Sequence, residues 1–485
     1  MKCRPLTRFV TGALRRFIEL AILFTTPAAF SQPGQVPAVA RTGTVIIGSI
    51  SISGNKTTRE TIIRRELEFH ASDTLKWPDF LVRLTQSRQN VFNTSLFNFV
   101  TVQVLPSADS SRADVRIEVV ERWYIWPIPF FEISERNFNA WLETRDFSRL
   151  TYGIDLTFNN ARGRNETLKF LAHFGFNRKF GFTYRFPYVN RKQTLGLGIG
   201  GGMEMNHQVA VTTIGNKPVT VRNNDIYLKK MAYAYADLIL RPDFFVIHIF
   251  HAGYSRYEFD SSLRATPGFS LVERNVQQFI NFTYFIKDDH RDVQYYPLTG
   301  YCIEAELNHA VPYAVAHNTY LRASLRFYLP LRKRFYWDAG VTGKISFAKE
   351  QPYYLQRGLG YGRDFVRGYE LYVVDGQHFA LFKTGLKFAL LPQRVDTIRF
   401  IRSAKFNTIP LALYLNAFCD MGYAYHYPQG GQGNPDQRNT LENSFLLGYG
   451  LGCDFTTYYD IVIRVEGTMN RMGQWGVYLH FISPI

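Results

Sequence analysis

The stretch YGRDFVRGYE, residues 361–370, places two arginines and two carboxylates among aromatic residues and glycines. An arginine can bind a carboxylate or a phosphate through two parallel hydrogen bonds. Gly368 beside Arg367 allows a tight backbone turn. The stretch lies between two segments that alternate like strands, so we predict a loop tip. It could bind an anion or a host surface outside the protein, or it could hold the interior of the protein together.

The other residues with chemical potential are scattered along the chain. There are eleven histidines, without the spacing of a Ser/His/Asp triad or of a metal site. After Cys3, the widely spaced Cys302, Cys419 and Cys453 form an odd set, which indicates neither a disulfide framework nor a metal signature. We therefore expect no enzymatic activity, no cofactor and no metal ion.

The N-terminal residues have the features of a secretory signal. Basic residues lead an apolar core near residues 20–30, and small residues precede Gln32. We predict a signal peptide at residues 1–31 and a short linker at 32–43; an amphipathic surface helix is the alternative. Removing the signal takes away five of the 56 Lys and Arg and one of the 40 Asp and Glu, so the mature charge is +12. Such a chain is suited to meet anionic lipid headgroups, and nucleic acid is not an expected partner.

Residues 44–123 have the pattern of a small mixed domain. A strand-like segment is followed by two helical stretches and two further strand-like segments. Thr57 and Glu60 have the spacing of a capping box at the first helix. The stretch ISISGNKTTRETIIRRELEF resembles the opening of a POTRA domain, a periplasmic module of outer-membrane assembly proteins. The resemblance implies client binding by strand addition at a sheet edge. A generic α+β domain is the alternative.

Residues 124–485 read as strand after strand, with one apolar, aromatic face and one face of charges and glycines. A soluble sandwich also alternates. Strands of ten or more residues with aromatic-rich faces instead favour a transmembrane β-barrel, which satisfies every backbone group in lipid. We predict sixteen antiparallel strands, starting near residues 124, 149, 166, 179, 193, 226, 243, 275, 300, 318, 334, 377, 410, 443, 460 and 475.

The connections between these strands fit an outer-membrane barrel, which has short periplasmic turns and long outer loops. If the first strand rises from the periplasm, the long connections all fall outside, and short turns such as 331–333 fall inside. Two inner connections, 288–299 and 391–408, are longer than this rule prefers. The loop tip at 361–370 then belongs to the sixth outer loop.

This loop carries a resemblance to the BamA/TamA superfamily. Val366, Arg367, Gly368 and Tyr369 match the superfamily's VRG-aromatic motif, whose arginine folds into the barrel lumen and pairs with an aspartate on the thirteenth strand. The matching strand-thirteen residues are Phe418, Asp420 and Gly422. Alternation independently puts Asp420 on the lumen side, because a carboxylate facing lipid would be costly. An exposed anion-binding loop remains the alternative.

Two further segments resemble the same superfamily. The segment DDHRDVQYYPLTGYCIEAEL resembles the entry into a mid-barrel strand. The C-terminus resembles a last strand that is recognised for insertion, although it ends on ISPI rather than on an aromatic residue. The residues of this C-terminal signature are Gln474, Gly476, Leu479 and Phe481.

The resemblance implies a protein of the Gram-negative outer membrane with its POTRA domain in the periplasm. Its expected function is the assembly and insertion of outer-membrane proteins: the POTRA domain captures an unfolded client and the barrel templates its insertion. The expected partners are unfolded outer-membrane clients and outer-membrane lipid, with periplasmic chaperones or assembly lipoproteins in addition. A translocation pore for one dedicated soluble partner and a passive structural or host-facing barrel are the alternatives.

Overall fold

The computed structural model describes residues 43–106, 111–133, 149–264, 266–272, 274–312, 318–348, 350–398, 401, 403–427 and 439–481. The predicted signal peptide and the linker up to residue 42 lie outside this part of the chain. Within it, no helix has both the length and the apolar character needed to cross a membrane.

The N-terminal domain is a four-stranded sheet covered by helices. Its strand order is β2-β1-β4-β3, with β1 parallel to β4. The second helix buries Phe80, Leu84 and Val91, whose spacing puts them on one helical face. The elements are β1 (Thr44–Ser53), α1 (Glu60–Arg64), β2 (Thr74–Lys76), α2 (Trp77–Asn93), β3 (Phe97–Pro106) and β4 (Arg112–Glu121).

The capping box predicted for Thr57 and Glu60 is wrong. Helix α1 has Arg59 at its N-cap position, without a side-chain cap. The amides of Thr57 and Thr58 donate to the carboxylate of Glu121 at 2.9 and 2.6 Å. A carboxylate from β4 therefore satisfies the amides before the helix, and Glu60 pairs with Arg64 instead.

The rest of the chain forms one sixteen-stranded antiparallel sheet, in which sequence neighbours pair throughout. The hairpin β10–β11 forms a separate small sheet between β9 and β12. The strands are β5 (Ile125–Ile133), β6 (Leu150–Ala161), β7 (Glu166–Gly175), β8 (Arg178–Phe186), β9 (Leu195–Asn206), β10 (Gln208–Ile214), β11 (Lys217–Arg222), β12 (Lys229–Leu240), β13 (Val246–Phe259), β14 (Val276–Asp289), β15 (Gly300–Pro312), β16 (Asn318–Arg332), β17 (Phe335–Ser346), β18 (His378–Thr397), β19 (Thr408–Tyr425), β20 (Phe445–Thr456), β21 (Val462–Asn470) and β22 (Trp475–His480). The short helices α3 (Ser261–Arg264) and α4 (Ala404–Asn407) and a 3-10 turn (Tyr458–Asp460) lie in the connections.

The two faces of the large sheet differ as the alternation predicts. On β19, Leu415 is exposed outward, whereas Asn416, Phe418 and Asp420 are buried on the concave side. The convex side exposes apolar side chains on strand after strand, which is the surface that a barrel presents to lipid. The concave side buries charged and polar groups.

The sixteen predicted strand starts all lie within three residues of the observed ones. Two connections differ from the prediction. The outer connection 206–225 contains the hairpin β10–β11, and the connection 391–408 is shorter because β18 and β19 extend to residues 397 and 408. A long hairpin therefore replaces most of the predicted inner loop.

Candidate functional site

The connection between β17 and β18, residues 347–377, enters the concave side of the sheet; we call it loop six. Its Val366 is 1% exposed and packs in an apolar cluster with Leu359 and Val374 of the loop and with Leu381 and Leu446 of the strands. Leu359 and Val374 also pair as an isolated β-bridge, which closes the base of the loop tip. The tip is thus part of the interior packing of the protein.

The structure brings Arg367 and Asp420 together. The Nε and Nη2 groups of Arg367 donate to the two carboxylate oxygens of Asp420 at 2.8 and 2.6 Å, and its backbone amide donates to the same carboxylate at 3.2 Å. Its Nη1 group donates to Glu466 of β21 at 3.0 Å. The guanidinium lies 3.8 Å from the centre of the Phe418 ring. One arginine therefore joins loop six to β19 and β21.

The charges around this arginine nearly balance. Arg464 binds Asp454 at 2.5 and 2.7 Å and lies 3.4 Å from Glu466. Lys383 of β18 lies 4.0 Å from Asp420. Three cations thus face three carboxylates, which is the condition under which charges are tolerated in a buried site.

Glycines on the concave side provide the space for the loop tip. A Cβ atom at Gly448 would lie 1.7 Å from the backbone oxygen of Arg367, and one at Gly422 would lie 2.5 Å from the Val366 side chain. Gly368 has a φ of 92°, a conformation that favours glycine, and its carbonyl accepts from Asn470 at 2.8 Å. Tyr369, next to it, is buried. The close approach of loop and sheet therefore depends on these glycines.

The C-terminal signature residues lie on both sides of the last strand. Gln474 accepts a hydrogen bond from Tyr372 of loop six at 3.1 Å, so this residue contacts the loop. A Cβ atom at Gly476 would meet the ring of Tyr478. Leu479 and Phe481 are exposed on the convex side. The four residues do not form one cluster.

The outer end of the sheet is covered by loops that meet at the tip of the β10–β11 hairpin. Asn216 at this tip donates from its backbone to Asn439 at 3.0 Å, and its side chain accepts from the amide of Leu441 at 2.9 Å. Its carbonyl accepts from Val373 of loop six at 3.0 Å. Burial raises the pKa of the nearby Glu442 to about 7, and the charge of Asp375 adds to this effect. Three outer connections therefore meet over the concave side.

The N-terminal domain covers the opposite end. Among the described residues, it contacts six of the seven turns there. The contacts are Arg59 to Gly163 at 2.9 Å, Arg65 to Gln193 at 2.8 Å, Glu66 to Arg241 at 2.7 Å, Asn93 to Asp292 at 3.2 Å, Asn98 to Lys405 at 3.1 Å and Arg122 to Asp460 at 2.7 Å. Between the end of α2 and loop six lies a cavity of about 930 Å³, to which Phe92 and Arg363 both contribute.

The first and last strands of the large sheet are its edges. In the described residues, β5 pairs only with β6 and β22 pairs only with β21. The sheet nevertheless curls around, because Trp126 of β5 lies 4.8 Å from Tyr459 of the β20–β21 turn, measured between ring centres. The first strand therefore lies near the turn that precedes the last two strands, and within the described residues it forms no ladder with β22.

Comparison with known proteins gives a domain match for the N-terminal part and a fold likeness for the whole chain. A family model for the POTRA domain, described as a surface antigen variable number repeat, matches residues 45–122. Residues 45–122 form a POTRA domain. Among solved structures, BamA from Haemophilus ducreyi lacking POTRA domains 1–3 is similar at 13% identity and a TM-score of 0.50, over 90% of this chain and 83% of that one. The chain therefore shares the fold of that structure, a POTRA domain followed by a sixteen-stranded antiparallel sheet.

Two further solved structures are similar. CdiB from Acinetobacter baumannii has 14% identity and a TM-score of 0.47, with 90% of this chain and 73% of that one covered. CdiB from Escherichia coli has 11% identity and a TM-score of 0.48, with 97% of each chain covered. No curated protein matches the sequence.

One of the contacts between the POTRA domain and the barrel is a buried charge cluster around Glu66. This carboxylate is fully buried and accepts from both Nη groups of Arg241, at 2.7 and 2.8 Å. The hydroxyl of Tyr188 donates to Glu66 at 3.4 Å, and Arg65 lies 3.2 Å away. Burial alone would lower the pKa of Arg241, but the charge of Glu66 raises it above its usual value. This buried cluster connects the residues that follow α1 to two barrel turns.

Sequence reasoning missed Glu466 as the second partner of Arg367. The signal was present, because Arg464 and Glu466 are two residues apart on one strand and therefore face the same side of the sheet. It also missed Gly448, although the glycines at 448, 450 and 452 share one face of β20. In the described residues, no group of three or more His, Cys, Asp or Glu is arranged to hold a metal ion.

Proposed function

We propose that this protein is an outer-membrane assembly factor that inserts β-barrel clients into the bacterial outer membrane. The signal peptide at residues 1–31 exports the chain, the linker at 32–43 precedes the POTRA domain at 44–123, and the barrel at 124–485 spans the membrane. The POTRA domain lies in the periplasm and captures unfolded clients. We assign no catalytic role to any residue.

The observation that carries this proposal is that the outer edges of β5 and β22 are unpaired within the part of the chain that the structure describes. In lipid, an unpaired strand edge leaves its N–H and C=O groups unsatisfied. A client strand that pairs there satisfies those groups and its own groups at the same time. Exposed apolar side chains flank both edges, including Phe131 and Trp475 at 71% and 77% exposure, so the new strand would enter an apolar surface.

The positions of loop six and of the POTRA domain support insertion at this seam rather than passage through the barrel. Loop six is fixed across the concave side by Arg367, and the POTRA domain contacts six of the seven inner turns. Export of a soluble chain through the lumen would require both to move. Insertion at the seam does not require loop six to leave the lumen.

The POTRA sheet has an open edge that suits client capture. Strand β2 is only three residues long and pairs with Thr44–Ile46 of β1, so it covers a small part of that strand. An extended client can pair with an incompletely covered edge. Clients held in this way are supplied by periplasmic chaperones or assembly lipoproteins in our proposal.

Depletion of the protein in its native host tests this function. Quantitative proteomics of outer membranes should show loss of a set of β-barrel proteins, whereas the medium keeps its secreted soluble proteins. Loss of one soluble secreted protein with an unchanged set of barrels would refute assembly and would favour the export pore.

A further inference from the structure

The two edges of the seam differ in their hydrogen-bonding groups. The first strand reads IWPIPFFEI over residues 125–133, with prolines at 127 and 129. Proline has no backbone N–H group and therefore cannot donate to a ladder. The last strand, residues 475–480, contains no proline. The edges are therefore unequal in the number of donors that they offer.

The hydrogen bonds around β5 show which way the proline nitrogens point. The carbonyl of Tyr124 accepts from Asn159 of β6 at 2.7 Å, so the even-numbered residues direct their polar groups toward β6. The carbonyl of Ile125 accepts from the indole of Trp123 instead. Because polar groups alternate along a strand, Pro127 and Pro129 have their nitrogens on the free edge.

This placement leaves the middle of the first strand without donors. Five residues of β5 point to the free edge, at positions 125, 127, 129, 131 and 133. Two of these five, Pro127 and Pro129, lack an N–H group, and the carbonyl of Ile125 is already bound to Trp123. Two carbonyl groups of a partner strand would find no N–H donor at these positions. Carbonyl groups left unsatisfied in lipid are costly. A complete ladder between β5 and β22 is therefore disfavoured.

We propose that the last strand, and not the first, is the edge on which a client strand is templated. This inference rests on the proposed function and specifies its site. The occupant is an extended segment of a client barrel, because β22 offers donors and acceptors in alternation along its free side. Pro127 and Pro129 act as negative determinants: they keep β5 from competing, both for the client and for β22.

Photo-crosslinking tests the choice of edge. A photoreactive phenylalanine analogue replaces Phe131 in one variant and Trp475 in another; both positions are aromatic and outward-facing. The probe is a synthetic peptide with the sequence of residues 474–481, QWGVYLHF, which carries the strand signature of a barrel C-terminus. We expect roughly tenfold more crosslinking from position 475, because two hydrogen bonds are missing on the other edge.

The proline variants provide the second arm. Combining Pro127→Val with Pro129→Val restores both donors, so crosslinking from position 131 should rise toward that from position 475. The single Pro129→Val variant should lie between, and it serves if the double variant folds poorly. Pro410→Val in β19, away from the seam, is the matched control and should change neither yield.

Thermal unfolding without peptide gives an independent measure. Replacing proline normally lowers stability, since the unfolded chain gains freedom. A higher Tm in the double variant than in the unaltered protein therefore indicates that β5 now pairs with β22.

Three results would contradict us. Equal crosslinking from both positions in the unaltered protein overturns the assignment of β22 but keeps strand addition at the seam. Unchanged crosslinking and Tm in the double variant overturn the role of the prolines. Absence of crosslinking from both positions overturns the proposed function itself.

Discussion

Replacing Arg367 with alanine should release loop six from the barrel wall. The change leaves Asp420 and Glu466, both fully buried, without the cation that they share. Breaking a buried ion pair from one side costs about 3–5 kcal/mol. Lys383 at 4.0 Å from Asp420 and Arg464 at 3.4 Å from Glu466 remain as partial substitutes. We therefore expect the lower end, about 3 kcal/mol, which shifts the docked loop toward release by roughly a hundredfold.

Amide hydrogen exchange over residues 359–374 measures this release directly, and assembly of client barrels measures its consequence. Asp420→Ala should give the same defect, and the double variant should be little worse than either single one, because the two side chains act as a unit. Arg162→Ala is the control: this arginine also binds a carboxylate, Glu166, but is 57% exposed, so neither readout should change. Additive losses with a coupling energy near zero would refute the Arg367–Asp420 pair as the anchor of loop six and would place the function of the tip elsewhere.

Three further predictions concern the glycine against which loop six packs and the POTRA domain. Gly448→Ala should release loop six as Arg367→Ala does, because the new Cβ atom would lie 1.7 Å from the backbone oxygen of Arg367. Gly343→Ala is the control: the nearest atom to its new Cβ lies 3.7 Å away, so amide exchange in loop six should not change. Glu66→Gln should loosen the POTRA domain by removing the buried charge that faces Arg241, and faster proteolysis between the domains should report it. Deleting residues 44–122 should leave an inserted barrel but abolish client assembly; full assembly of every client would show that the POTRA role is wrong.

The sequence was sufficient for the barrel because its signals are local. Each strand alternates apolar and polar residues, so starts such as 300, 318 and 475 could be predicted without tertiary information. The same alternation placed Asp420 on the concave side. The partner of Arg367 then followed from the resemblance of its loop motif.

Contacts between distant segments could not be predicted in this way. The acceptor for the Thr57 and Thr58 amides is Glu121, which lies more than 60 residues away, so the nearby Glu60 was the only visible candidate for a cap. Likewise, Glu466 lies 99 residues from Arg367. Strand periodicity gives the face of a residue but not its neighbour across the lumen. Hairpin β10–β11 was missed because its length fits a loop as well as two short strands.

The POTRA contacts with six inner turns have a mechanical consequence for the barrel. One compact domain fixes the distances between turns that lie all around the rim, and so it fixes the perimeter of that rim. Adding a client strand at the seam lengthens the perimeter by about one strand spacing, roughly 4.8 Å. The contact between Arg122 and Asp460, close to the seam, would stretch before the contacts on the opposite wall. Under the proposed function, expansion of the barrel and release of the POTRA domain then have the same mechanical cause, and the POTRA domain can register that a client strand has been added.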